Sequence, residues 1–273
     1  MINNKLDYYK AKLSDEVFFR ISDFIEGNYG IRLPRQKKAM VQNRLYKRLI
    51  ELEIPSFDEY IRFVFSTKGN SEVQKMVDEI TTNKTDFFRE SKHFDFFKEN
   101  IIKQNESLRI WSAGCSTGEE AYSLAMILEE SNNLSYSILA TDLSTKVIEA
   151  AKNGIYQELV VKPIQENILN KYFTEEITDD KKFYKAKQQI RQFVKFGTLN
   201  FMDSNYNIPY NFDVIFFRNV LIYFNMTTQL EILKKIISHL KVGGHLFIGH
   251  SEAIYDFSMP IKSVNPSVYI KTS

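Results

Sequence analysis

From residue 108 onward, short β-rich runs alternate with amphipathic helical segments, and this alternation constrains the fold more than any other feature. Residues 108–111 read as a strand, followed by a turn of small residues and a helix over 119–130. Residues 135–140 read as a second strand that runs on to Asp142, with a helix over 145–152 behind it. Later come a strand at 212–217, a helix at 227–240, a turn at Gly243-Gly244, a strand at 246–249 and a last strand at 268–271. Strand–helix alternation of this kind predicts a doubly wound, Rossmann-like α/β sheet. The stretch 155–200 breaks the rhythm. Tyr172-Phe173, an acidic turn at Thr178-Asp179-Asp180, and the runs 183–186 and 191–196 predict a small antiparallel β insertion.

The first 80 residues read differently, as a small all-α domain. Val17, Phe18, Ile21, Phe24 and Ile25 recur at helical spacing, and a turn follows at 27–30. Pro34 suits the first turn of a helix whose apolar stripe is Val41, Leu45, Leu49 and Leu52, and Pro55 ends it. Phe57, Tyr60, Ile61 and Val64 mark another helix, and 73–80 a further one. The expected organisation is therefore a helical domain over 1–80, an inter-domain helix over 81–100, and an α/β domain over 101–273.

Composition excludes several classes. At 273 residues with 44% hydrophobic content, the chain can bury a sizeable core. A single cysteine, Cys115, rules out an intramolecular disulfide and a cysteine-based zinc site, and the four histidines are widely spread, so no metal is expected. The polar start and the lack of any apolar run of about 20 residues predict neither a signal peptide nor a membrane span, with the cytoplasm as compartment. A net charge of +2 makes no case for nucleic acid.

The sharpest local signal is Ile110 to Glu120: a strand, a tight turn holding Gly114 and Gly118, then a helix start. The pattern is neither the G-x-G-x-x-G fingerprint nor a P-loop. Glu119 would repel a pyrophosphate but suit a cationic amino-acid moiety. Asp142 ends the next strand, 28 residues beyond Gly114, where a carboxylate accepts both hydroxyls of a ribose. Glycine turn and strand-end acid together read as an adenosine-type cofactor site without phosphates, or alternatively as a packing turn and a helix-capping Asp.

Five segments in order resemble the chemotaxis receptor methyltransferase family (CheR-type). They are Thr82-Asn83-Lys84-Thr85-Asp86-Phe87-Phe88-Arg89, the run from Trp111 to Glu120, Ala140-Thr141-Asp142, the run from Phe217 to Phe224, and Gly249-His250-Ser251-Glu252. The resemblance implies a class I methyltransferase that transfers methyl from S-adenosylmethionine, leaving S-adenosylhomocysteine, to glutamate side chains of chemoreceptor cytoplasmic helices. It implies that Asn83, Thr85 and Arg89 reach the cofactor. Glu119 would take its methionine end, Asp142 its ribose and Asn200 and Phe201 its adenine, with Arg218 and Asn219 lining the pocket. Arg89 and Tyr223 would face the reacting groups. Ala121 stands where the family usually has Pro, and Leu143-Ser144 where it usually has Ile-Asp.

Methyl transfer to a carboxylate needs no general base, because a glutamate with a pKa of about 4.3 is already ionised at neutral pH. This agrees with the lack of a Ser–His–Asp or Cys–His set. It needs alignment and a donor for the carboxylate, which the guanidinium fork of Arg89 offers, unless Arg89 forms a salt bridge with Asp86 or Glu90. Tyr223 reads as a hydrogen-bond donor to the acceptor oxygen or as a core aromatic, and Arg218 and Asn219 as pocket residues or loop caps. His250-Ser251-Glu252 reads as structural, and Cys115 as a small residue of the turn. Between residues 32 and 48 there are seven cations and no acid. Lys37, Arg44 and Arg48 fall on one helical strip, and with Arg35 and Lys38 they are expected to dock an acidic receptor helix. A nucleic-acid methyltransferase and a cofactor-holding module with little turnover remain as rivals. A monomer is expected.

Overall fold

A computed structural model describes residues 10–131, 135–254, 256 and 258–273. The chain divides into two compact units: residues up to Thr82 together with Tyr223–Asn225, and Asn83–Ile222 together with Met226–Ser273.

Among the described residues, the first unit is built on four α-helices, α1 (Asp15–Tyr29), α2 (Lys38–Glu51), α3 (Phe57–Val64) and α4 (Asn70–Ile80). Each boundary has a local cause. Ser14 caps α1 by accepting the Val17 N–H at 3.1 Å, with Asp15 and Glu16 in the first turn. Gly30 ends it at φ 72° and returns its N–H to Glu26. Ser56 caps α3 through the Glu59 N–H. The stripes predicted from periodicity are buried: Val17, Phe18, Ile21 and Ile25 from α1, Val41, Leu45 and Leu49 from α2, and Phe57, Tyr60, Ile61 and Val64 from α3. Leu52 falls just beyond the stripe, as the half-buried residue closing α2.

In the second unit the strands are β1 (Ser107–Ala113), β2 (Ser135–Asp142), β3 (Ile155–Gln157), β4 (Phe173–Thr178), β5 (Lys181–Ala186), β6 (Val194–Thr198), β7 (Phe212–Phe217), β8 (Leu240–Ile248), β9 (Ile261–Asn265) and β10 (Val268–Lys271). The helices that matter below are α5 (Ser91–Asn100), α6 (Glu119–Glu129), α7 (Thr145–Asn153) and α11 (Met226–Ser238). Between α7 and α11 lie the short α8 (Glu158–Val161), α9 (Glu166–Tyr172) and α10 (Gln188–Arg191). Seven strands form one sheet in the order β6-β2-β1-β7-β8-β10-β9. The pairs β6–β2, β2–β1, β1–β7 and β7–β8 are parallel, and β10 runs antiparallel between β8 and β9. The chain thus winds outward from β1 through β2 to β6, then crosses to β7 and continues the other way. The order reverses between β1 and β7, and ligands of open α/β sheets bind beyond the carboxyl ends of the strands at such a reversal.

Four expectations are corrected. The 191–196 run is not part of the insertion: as β6 it pairs in parallel with Ile138–Asp142 in the main sheet. The antiparallel insertion is the separate sheet β3-β5-β4, ending at Ala186. Gly243-Gly244 is no turn between helix and strand. It lies within β8, where the pairing with β7 slips from Phe212↔Leu240 to Val214↔His245, a bulge that the φ of 80° at Gly243 accommodates. The helix expected over 81–100 forms only from Ser91, because Phe88 (φ 54°) and Glu90 (φ 57°) lie outside the right-handed helical region.

Candidate active site

The site begins where β1 ends. The N–H groups of Gly114 and Cys115 both donate to the Thr141 carbonyl, at 2.8 and 2.9 Å, so the turn is stitched to the end of β2. Gly114 has φ +90°, and a Cβ there would lie 2.4 Å from Val220 Cγ2. Gly118, at φ +95°, would meet Ala151 Cβ at 3.0 Å. Both glycines are therefore required by backbone shape and by protein neighbours. Cys115 is buried and its thiol is pushed well above the usual range by that burial, which leaves it inert as a nucleophile.

Two carboxylates flank this turn. Glu119 opens α6 and is only 4% exposed. The Thr117 hydroxyl lies 2.8 and 2.7 Å from its two oxygens. Burial, and to a lesser degree the charge of Asp86, raises its pKa above the usual carboxylate range. Asp142, at the end of β2, accepts the Ser116 N–H at 2.9 Å and the Ser144 N–H at 3.0 Å. The cap of α7 is Ser144, so Asp142 braces the glycine turn instead. No Lys or Arg lies in the turn from Gly114 to Glu119. This donor set does not suit a phosphate. It suits a ligand with cationic groups and hydroxyls, as S-adenosylmethionine has.

Beyond β6, Asn200 accepts the Met202 N–H at 3.0 Å, and Phe201 is 6% exposed with its ring 5.1 Å from that of Phe217. Asn83 lies at the start of the second unit, and its carbonyl accepts the Ser116 hydroxyl at 2.9 Å. Thr85 is half-buried in the same loop. The Arg89 guanidinium rests on the Lys84 carbonyl at 2.9 Å and forms no ion pair with Asp86 or Glu90 among the described residues.

Arg218 and Asn219 follow β7, but neither is a simple pocket wall. The Arg218 side chain is 2% exposed. Its Nε donates to Glu120 at 2.7 Å, and its Nη1 donates to the Arg89 carbonyl at 2.8 Å and lies 3.3 Å from Glu90. Arg218, expected to line the pocket, has its charge taken up by Glu120, Glu90 and one backbone carbonyl. Asn219, at φ 59°, donates its N–H to Glu252 at 2.9 Å and its amide to Glu90 at 3.1 Å. Glu252 also accepts the N–H groups of Gly249 (2.6 Å) and Ile222 (3.3 Å), tying together the loops after β7 and β8.

Burial works to raise the Glu90 carboxyl, but the Asn219 amide and the Arg218 charge outweigh it and hold the pKa below the usual value. His93 is buried with Nδ1 3.1 Å from Arg218 Nη1, and burial, then the Arg218 charge, lowers it to about 4. Since Arg218 can only donate, Nδ1 accepts and the ring carries its hydrogen on Nε2. Glu90, His93 and His250 bring ligand atoms within 4.8 Å of one another, yet the Arg218 guanidinium already supplies a cation beside two of the three. Sequence reasoning missed Glu90, His93 and Glu120 as members of this network. The one signal for them was the polar residues that interrupt apolar helix starts.

In the first unit, the Tyr223 hydroxyl donates to the Thr82 carbonyl at 3.3 Å, its own carbonyl accepts the Arg32 N–H at 2.9 Å, and the Lys37 ammonium lies 5.7 Å from its ring centroid. The cationic strip is largely occupied. Arg35 and Lys38 both pair with Asp15 at 2.5 Å, and Arg44 donates to the carbonyls of Ile80 and Thr81. Arg48, expected on the docking face, is buried at 6% exposure and paired with Glu72 at 2.6 and 2.8 Å and with Glu51. Its docking role is corrected, because a partner cannot meet a charge enclosed by its own helices.

Comparison with known proteins agrees with this architecture. Residues 83–270 match the family model "CheR methyltransferase, SAM binding domain", and residues 16–81 match "CheR methyltransferase, all-alpha domain". The chain is similar to the chemotaxis protein methyltransferase of Borreliella burgdorferi, at 38% identity over 92% of this chain and 93% of the relative. It is similar to that of Escherichia coli at 39% identity, over 89% and 86%. With a reversed parallel sheet, a glycine turn between two carboxylates and relatives aligned along nearly their whole length, the chain belongs to the CheR methyltransferase family, S-adenosylmethionine-dependent methyltransferases of chemotaxis.

Proposed function

We propose that the protein methylates glutamate side-chain carboxylates on the cytoplasmic helices of chemoreceptors, forming methyl esters. S-adenosylmethionine supplies the methyl: the carboxylate gains the C–O bond as the S–CH3 bond breaks, and S-adenosylhomocysteine is left. Glu119 holds the cationic methionine end, Asp142 the ribose, and Asn83, Thr85, Asn200 and Phe201 the remainder, with Gly114 keeping the turn tight. Arg89 holds the incoming carboxylate. The observation that carries this reading is the state of its side chain: one hydrogen bond to the Lys84 carbonyl, and no acid paired with it among the described residues. A fixed cation with spare donors binds a carboxylate bidentately and orients one oxygen for in-line attack. Arg35, whose side chain is 70% exposed, and Lys37 are the cations that meet an acidic receptor helix. The protein works as a monomer in the cytoplasm, and no helix among the described residues is long and apolar enough to cross a membrane.

The test is transfer of radiolabelled methyl to a receptor cytoplasmic fragment, read as base-labile methanol. Arg89→Ala should lower turnover by about 100-fold, the scale of losing a preorganised charged donor, with receptor binding kept. Unchanged turnover removes Arg89 from the mechanism. Label that resists base removes the glutamate ester.

A further inference from the structure

Arg89 sits in an unusual stretch of backbone. Phe88 before it has φ 54° and Glu90 after it has φ 57°. Bulky L-residues rarely take this conformation, and a three-residue turn with two of them does not hold itself. Four polar groups of the second unit hold it. The Ser123 hydroxyl accepts the Phe88 N–H at 3.0 Å and donates its own hydrogen to the Glu119 carbonyl at 2.7 Å. Ser123 is fully buried, so water does not compete for either bond. Arg218 Nη1 donates to the Arg89 carbonyl at 2.8 Å. The Glu90 carboxylate accepts from the Asn219 amide at 3.1 Å and the His250 N–H at 3.2 Å.

We infer that Ser123 and Arg218 are positioning residues for methyl transfer, clamping the strained Phe88–Glu90 turn so that the Arg89 guanidinium is held where the substrate carboxylate is received. The inference rests on the reading of Arg89 given above. Two features favour it over a purely structural role. Non-glycine residues at positive φ flank Arg89 on both sides, and strain of this kind persists only where the surroundings impose it. Ser123 also lies four residues after Glu119 on the same face of α6, so one helix sets both the cofactor carboxylate and the turn that carries Arg89. Arg218 completes the clamp from the end of β7 and is itself fixed by Glu120, the second residue of α6.

A double-mutant cycle on the full-length protein tests this, with kcat measured by radiolabel transfer to a receptor fragment and S-adenosylmethionine affinity measured by calorimetry. Ser123→Ala should lower kcat by about tenfold while cofactor Kd and receptor KM stay within about twofold, because a displaced reactive group costs turnover before binding. In the Arg89→Ala background, the same change should lower kcat by less than about twofold, since a residue acting through Arg89 has nothing left to position. Unchanged kcat in Ser123→Ala, or an equal loss in both backgrounds, overturns the inference while Arg89 keeps its role. If Arg89→Ala itself leaves kcat intact, the role of Arg89 falls and the positioning role falls with it. Should Ser123→Ala fail to fold, Arg218→Lys enters the same cycle with the same outcomes, because one ammonium cannot reach both Glu120 and the Arg89 carbonyl.

Discussion

Arg48→Ala separates a docking cation from a buried structural one. The Arg48 guanidinium donates twice to Glu72, at 2.6 and 2.8 Å, and the two side chains are 7% and 3% exposed. The Glu72 pair raises the pKa of the guanidinium despite its burial, so it is charged at every working pH. Removing it leaves Glu72 with the Tyr60 hydroxyl at 3.1 Å and the Lys75 ammonium at 4.0 Å. Neither replaces a bidentate partner. Breaking a buried pair from one side costs about 3–5 kcal/mol, whereas an exposed docking residue changes stability by less than about 0.5 kcal/mol. At about 1.4 kcal/mol per factor of ten, amide exchange in α2 and α4 should accelerate by at least about 100-fold in the variant. The double variant Arg48→Met, Glu72→Leu should recover most of the protection, since apolar groups of similar volume substitute for a buried pair with little loss. Exchange within about twofold of the parent, together with weakened receptor binding, would refute the structural assignment and return Arg48 to the docking surface.

On the role proposed for Glu119, cofactor affinity should depend on pH. Burial raises its carboxyl, and a cationic ligand binds the ionised form, so affinity is full above the raised pKa and falls as pH drops through it, by at most about tenfold per unit. Cofactor binding should release protons in that window. Calorimetry in buffers of different ionisation enthalpy checks this, and Glu119→Gln should bind more weakly with the acid limb gone. A limb of equal slope in the variant would assign it to another group. Gly114→Ala places a Cβ 2.4 Å from Val220 Cγ2 on a backbone of φ +90° and should lower the unfolding midpoint by a margin worth about 1–3 kcal/mol. Adding Val220→Ala should recover the contact part only, leaving the backbone part, and full recovery would show that φ carries no cost.

The parallel core of the sheet was legible because each of its strands carries its own apolar run and its own boundary. The glycine turn between β1 and α6 was legible for the same reason. What escaped depended on pairing. The run over 191–196 has the same alternation whether it closes a hairpin or extends a parallel edge, and only the match to Ile138–Asp142 decides between them. β9 follows Met259-Pro260 and has no buried run of its own, since its pattern is set by β10. The site divides along the same line. Asp142 at a strand end and Glu119 at a helix start are visible in short windows. The fate of the arginines is not. Arg48 meets Glu72 across 24 residues, and Arg218 meets Glu120 across 98 and the Arg89 carbonyl across 129. A helical-wheel argument gives a direction for a cation but is blind to acids that other elements bring to it. These partners also set the three arginines apart. Arg48 and Arg218 have their side chains taken up by carboxylates, so their charge acts inward on the fold. Arg89 is held mainly through its backbone, N–H to Asp86 and carbonyl from Arg218, with one side-chain bond to a neutral carbonyl. A rigid backbone under a weakly committed guanidinium is the arrangement that a charged substrate requires, and it comes from groups scattered over more than 120 residues of chain.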